Sequence, residues 1–163
     1  MGTPAFPPLA TLTLGSSQAS VTFSNISQAY RDLMVVVAAK GTAPFYVRFN
    51  GDSTASAYFD VSMEGTGSGT ASNTAANNGF FVPGNSATNN PFNGSTIANW
   101  TGHIMDYSTA NKHKSMLGRF NRSDGSTLAT AERWANNSPV TSIVLIGNNW
   151  ATGDSFSLYG IAG

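Results

Sequence analysis

Short segments in which apolar residues alternate with small or polar ones recur along this chain, each closed by Gly, Asn, Asp or Ser. "LATLTL" (9–14), "ASVTF" (19–23), "FYVRF" (45–49), "SAYFDVSM" (56–63), "TIANWTGHIMDY" (96–107), "KSMLGRFN" (114–121), "VTSIVLIG" (140–147) and "DSFSLYGI" (154–161) follow one another in this way. A period of two is that of a strand with one face buried. Many such strands, spaced about 8 to 12 residues apart with turn signals between them, specify an all-β sandwich or barrel. No long amphipathic helix lies between the strands, which excludes parallel βαβ architectures. The expected fold is a single antiparallel β-sandwich, jelly-roll-like, and no internal repeat is visible.

The segments carry more specific expectations. "DLMVVVAAK" (32–40) is a continuous apolar run rich in β-branched residues, which reads as a central strand buried on both sides. Residues 9–14 and 19–23, joined by Gly15-Ser16-Ser17, read as a hairpin, with Leu12 and Leu14 on one face. Asn50-Gly51 is a strong hairpin signal, because a type I′ turn needs positive φ at both central residues, and 56–63 is the expected partner of 45–52. In that partner, Tyr58 and Asp60 share one face and Phe59 and Val61 the other. "NISQAYRDL" has room for one helical turn. Residues 65–79 are low in complexity and poor in large apolar groups, so a long exposed loop is expected there, with a second loop at 83–95. "STLATAERWAN" (126–136) suits helix or strand by propensity, and its alternation favours strand. The last strand closes the fold, with Phe156 and Leu158 pointing inward and Tyr159 and Ile161 on the other face.

Pro4, Pro7 and Pro8 hold the first residues extended and forbid a helix. The expected organisation is an extended arm over 1–10 and a sandwich over 11–163. Phe6, Pro7, Pro8 and Leu9 are then the arm's contact residues, with Phe6 and Leu9 as apolar anchors on a neighbour. Removing Met1 to Pro8 is expected to leave the sandwich folded.

Composition narrows the function classes. Charged residues make up 10% of the 163-residue chain, with Lys plus Arg and Asp plus Glu at 8 each. Clustered Lys and Arg are what phosphate binding requires, so no nucleic-acid partner is expected. A surface with no net charge favours association. There is no cysteine, which excludes disulfides, thiolate metal sites and a cysteine nucleophile. The opening residues lack a basic region followed by an apolar one, and position six is Phe6, so neither a signal peptide nor myristoylation is expected. The longest apolar run, Leu33 to Ala39, is too short to span a bilayer, and no membrane partner is expected.

Residues with catalytic or ligating chemistry are sparse. His103 and His113 have no second His, Asp or Glu at ligand spacing. Asp60 and Glu64 share a strand face only if the strand runs on unbroken; Asp52, Asp124 and Asp154 sit in turn contexts. "NRSDGS" (121–126) lacks the spacing and distal Glu of a calcium loop, and "GTGSG" (65–69) is not a nucleophile elbow. No catalytic residue, metal site or cofactor is therefore expected. Trp100, Trp134 and Trp150 either cap the core or, with Tyr159, form a subunit interface or a sugar-binding surface. The Asn-x-Ser/Thr matches are what a chain rich in these residues produces by chance.

"SVTFSNISQAYRDLMVVVAA", "VRFNGD", "IMDYSTANKHKSM" and "VTSIVLIGNNWATGDSFSLYGI" together resemble small β-sandwich virion proteins of tailed bacteriophages. The matching positions are Val21 to Ile26, Tyr30 to Leu33, Phe49 to Asp52 and Phe156 to Ile161, and the resemblance covers most of the chain after the proline arm. It implies a structural virion protein without enzymatic activity. A single domain with a short Pro-rich arm favours a cement or decoration protein on the outer capsid surface, bridging neighbouring major capsid subunits, and threefold positions on a shell favour a homotrimer. Related domains serve in tail and fibre assemblies, and the resemblance leaves a fibre-associated, glycan-binding module as the alternative.

Overall fold

The computed structural model describes residues 6–40, 45–65, 69–82, 96–121 and 127–163. Twelve strands and no helix occur among them: β1 (Pro8–Thr13), β2 (Gln18–Phe23), β3 (Asp32–Ala39), β4 (Phe45–Phe49), β5 (Tyr58–Gly65), β6 (Thr70–Asn77), β7 (Phe80–Val82), β8 (Ala98–Met105), β9 (Lys114–Asn121), β10 (Thr127–Trp134), β11 (Ile143–Trp150) and β12 (Ser155–Ile161). They form an eight-stranded sheet in the order β1-β12-β3-β8-β9-β10-β5-β6 and a four-stranded sheet in the order β2-β11-β4-β7. Every pairing is antiparallel. The chain is an all-β sandwich, as expected from its alternation.

The two sheets close over an aromatic core. Phe45 on β4 meets Trp100 of β8 edge-on at 5.3 Å and Trp150 of β11 at 5.2 Å. Phe49 packs on Trp134 of β10 at 5.6 Å and on Phe80 of β7 at 5.2 Å, and Phe80 on Tyr58 of β5 at 4.8 Å. Room for the Trp100 ring comes from two glycines opposite each other on β8 and β9, Gly102 and Gly118. A Cβ on Gly102 would stand 2.7 Å from Trp100 Cζ2, and one on Gly118 would lie 3.2 Å from Trp100 Nε1 and collide with the Thr130 hydroxyl.

Several local expectations are corrected. β1 pairs with β12 and β2 with β11, so residues 9–14 and 19–23 belong to different sheets and form no hairpin. Leu12 is exposed while Leu14 is buried. The Asn50-Gly51 turn does form, with φ of 54° and 68° and Asp52 N donating to Phe49 O at 2.9 Å. It carries the chain from one sheet to the other: β4 pairs with β11 and β7, whereas β5 pairs with β10 and β6. The Asn50 side chain is already committed, donating to Pro139 O at 2.8 Å and accepting from Thr141 N at 2.8 Å, which anchors the turn to the segment entering β11.

The expected loop at 65–79 is instead largely strand. β6 pairs with β5 over its whole length, from Thr70 opposite Gly65 to Asn77 opposite Tyr58. As an edge strand of small residues it needs backbone partners more than buried side chains. Residues 66–68 and the expected loop at 83–95 lie outside the described residues. No helical turn occurs at 25–33. β3 has one fully buried face (Leu33, Val35, Val37, Ala39), but Met34, Val36 and Ala38 opposite are only half-buried. β12 is as expected: Phe156 and Leu158 are buried, Tyr159 and Ile161 half-buried on the outer face.

The arm boundary is also corrected. Residues 1–5 lie outside the described residues, and Phe6 is 54% exposed. The sheet begins immediately after it. Pro7 O accepts from Gly160 N at 3.1 Å, Pro8 stands opposite Tyr159, and Leu9 packs against the core. Pro8 is tolerated because it is the first residue of an edge strand, where its missing N–H breaks no ladder. Pro7 to Ala10 therefore belong to the sandwich.

Candidate functional site

The side chains that decide what this sandwich can do lie on the two faces of its eight-stranded sheet, and β5 explains both. In "YFDVSMEG", Tyr58, Asp60, Ser62 and Glu64 point inward and Phe59, Val61 and Met63 outward. Apart from Tyr58, the pattern is inverted: acids are buried and large apolar groups face solvent.

On the inner side, Asp60 stands directly opposite Glu132 of β10, and Ser62 opposite Thr130. Asp60 and Glu132 are 2% and 4% exposed, and all four of their carboxylate oxygens lack a hydrogen-bond partner. Thr130 Oγ1 and Trp100 Nε1, which overhang Gly118, lack one too. Burial pushes the Asp60 carboxyl up to about 6, against the opposing influence of Asn77. Burial pushes Glu132 up to about 8; nearby Thr130 opposes this and the charge of Asp60 adds to it. Two like charges this close cannot both ionise cheaply, so near neutral pH the pair holds a proton. The buried Lys114 offers no counter-charge there, since its Nζ donates to Lys112 O at 2.8 Å and Asn137 O at 3.2 Å.

On the outer side, the strand register sets a continuous row: Val61, Ala131, Leu117, His103, Met34 and Tyr159. At about 4.8 Å per strand the row runs roughly 24 Å. A flanking row holds Met63, Ala129, Arg119, Thr101 and Val36, and the other Phe59, Arg133, Ser115 and Met105. Met63 is 64% exposed, Leu117 51%, Val61 49% and Phe59 38%. A depression of about 270 Å³ opens between Met34, His103, Leu117 and Arg119. The charged side chains in these rows are Arg119 and Arg133, the latter lying 4.5 Å from the centre of the Phe59 ring. Asp60, Glu64 and Glu132 point the other way, into the sandwich, while Asp32, at the β3 end of the outer face, is buried beside Arg31 and His103. Asp106, in the turn after β8, is bound to Lys112 at 2.6 Å.

The residues singled out by sequence do not assemble into a site. Trp100, Trp134 and Trp150 are each 1% exposed and belong to the core, so they form neither a glycan surface nor a subunit interface; their large rings fill the space between the sheets. Trp134 Nε1 donates to Asp52 Oδ2 at 2.8 Å and Trp150 Nε1 to Leu145 O at 3.3 Å. Tyr159 remains on the outer face. Leu9 and Pro7 are tied into the sandwich, leaving Phe6 as the exposed apolar group of the expected arm set. His103 lies 3.3 Å from buried Asp32. Burial would raise Asp32, but hydrogen bonds from Asp106 N and from the Arg31 and His103 side chains hold it below the usual carboxylate range. Among the described residues no group of three or more His, Cys, Asp or Glu could hold a metal, and no helix is long and apolar enough to cross a membrane.

Sequence reasoning missed Phe59, Val61, Met63, Leu117, Arg119 and Arg133 as surface residues of one face. The available signal was β5 itself, where strict alternation sets three acceptor-bearing residues against three large apolar ones.

No family model and no curated protein sequence matches the chain. Among solved structures it is similar to the galectin LEC-6 of Caenorhabditis elegans, at 13% identity and a TM-score of 0.41, over 91% of this chain and 94% of that one. It is also similar to the alginate lyase Aly36B, at 14% identity and a TM-score of 0.28, over 87% and 78% of the two chains. Likeness at this level does not bear on function.

Proposed function

We propose that this protein is a structural attachment protein, and specifically a cement protein of a tailed-phage virion that binds the outer capsid surface and bridges neighbouring major capsid subunits. The observation that carries the attachment reading is the outer face of the eight-stranded sheet, where Phe59, Val61, Met63 and Leu117 are exposed together. Contiguous exposed apolar surface of this kind marks interaction sites. The sequence resemblance to small virion proteins supplies the partner class. In this reading the protein uses no catalytic residue and no cofactor, and three copies assemble around a symmetry axis of the shell, where one patch is used repeatedly. The glycan-binding alternative loses its main support, because the three tryptophans it relied on are in the core.

The deciding experiment is a reconstruction of the virion that carries this protein. Density for the sandwich in multiple copies across capsid seams is the expected result. Density confined to the tail, or none in the particle, overturns the cement assignment.

A further inference from the structure

We propose that the outer face of the eight-stranded sheet docks a different protein, one presenting aliphatic side chains bordered by carboxylates, and is not the contact between copies of this chain. The inference rests on reading that face as an attachment surface, and adds which partner it fits. Its centre is aliphatic: Val61, Ala131 and Leu117 in one row, Met63 and Ala129 in the next. Its exposed charges are two arginines, Arg119 and Arg133, which project from β9 and β10. Asp60, Glu64 and Glu132 on β5 and β10 are turned inward, and the one acid of β3, Asp32, is buried and already held by Arg31 and His103, so no ion pair with an acid is formed by Arg119 or Arg133 among the described residues.

That asymmetry selects the partner. A second copy brought face to face would set arginine near arginine with no acid to answer them, and like-charge juxtaposition across an interface is costly. A protein surface with Asp or Glu around an apolar strip complements both features: bidentate carboxylate pairing suits guanidinium, and the aliphatic centre loses water on contact. An acidic polysaccharide would satisfy the arginines but leave Val61, Met63 and Leu117 without an apolar counterpart.

The test uses the full chain, a displayed random peptide library and alginate as probes. Two variants are prepared, Arg119→Glu with Arg133→Glu, and Leu117→Ser with Met63→Ser; all four side chains are exposed, so the melting temperature serves as a check on folding. The expected result is that peptides selected on the wild type combine aliphatic residues with Asp or Glu, and that each variant weakens their binding by about tenfold or more. Binding of the wild type also falls as salt rises. No enrichment, or peptides that bind both variants as well as the wild type, overturns the proposal. So does alginate binding that depends on the arginines and ignores Leu117 and Met63. Sedimentation showing that the wild type self-associates, and that Leu117→Ser with Met63→Ser abolishes it, would make this a contact between copies instead. A virion reconstruction with another face against the shell would leave the cement reading standing and remove this one. Absence from the shell together with the expected peptides would do the reverse.

Discussion

Asp60 and Glu132 face each other across the β5–β10 ladder inside the sandwich, and none of their carboxylate oxygens accepts a hydrogen bond. An unpaired carboxylate of this kind is tolerated mainly in its protonated form. The pair therefore ties the interior of the large sheet to pH.

Between pH 5 and 9 stability should fall as pH rises, measured in chelator so that only protons vary. Both folded values, about 6 for Asp60 and about 8 for Glu132, lie above the ordinary 3.8 and 4.5. The folded state thus binds more protons than the unfolded one. The stabilisation is complete below pH 4 and is lost as pH rises through 6 and then 8. The slope approaches about 1.4 kcal/mol per pH unit for each carboxylate in its window. Glu132→Gln should flatten the upper part of the curve. Thermal melts from pH 5 to 9 that run parallel for the two proteins would rule the pair out as the cause.

Gly118→Ala should cost about 1–3 kcal/mol in urea unfolding, since the new methyl group overpacks the space beneath Thr130 and Trp100. Adding Thr130→Ala removes the hydroxyl it strikes and also one unpaired buried oxygen. The double variant should recover part of the loss. Strict additivity of the two effects would show that the contact is relieved elsewhere.

Tyr58→Phe should destabilise by about 1–2 kcal/mol. The hydroxyl accepts from Phe49 N at 3.0 Å and donates to Asp52 O at 3.1 Å, holding the turn that passes the chain between the sheets. Without it a backbone N–H in the buried aromatic core loses its partner. Urea midpoints of the two proteins compare directly, and equal midpoints would mean that Phe49 N finds another acceptor.

Truncation should separate the two parts of the proline segment. Removing residues 1–6 should leave the melting temperature nearly unchanged, because Phe6 is exposed. Removing residues 1–10 takes away Leu9 and part of the β1–β12 ladder. That should lower stability clearly, with Leu9→Ala alone costing about 1–2 kcal/mol for a half-buried side chain. Equal melting temperatures for both truncations would return residues 7–10 to a free arm.

Strand positions were legible where burial and alternation agree. β10 is the useful case: Leu128, Thr130, Glu132 and Trp134 turn inward as their spacing requires, although the segment's composition also suits a helix. The candidate surface was less legible. In β5 alternation separates Asp60 and Glu64 from Val61 and Met63, but a period of two says only that the sets oppose each other. Which set faces the core depends on what β10 and β6 bring alongside, and here the usual assignment is reversed.

By itself the sequence determined the all-β class, the turn at Asn50-Gly51 and the division of most strands into two opposing sets, because these depend on local φ preferences and on a period of two that any half-buried strand must show. Only the tertiary structure decided which strands are partners, that the tryptophans fill the core, that residues 7–10 are part of a sheet and that β6 exists at all. Ladder hydrogen bonds are made by backbone groups common to all residues, so pairing over long separations is chosen by packing between sheets. That choice places Pro8 against Tyr159 and Asp60 against Glu132.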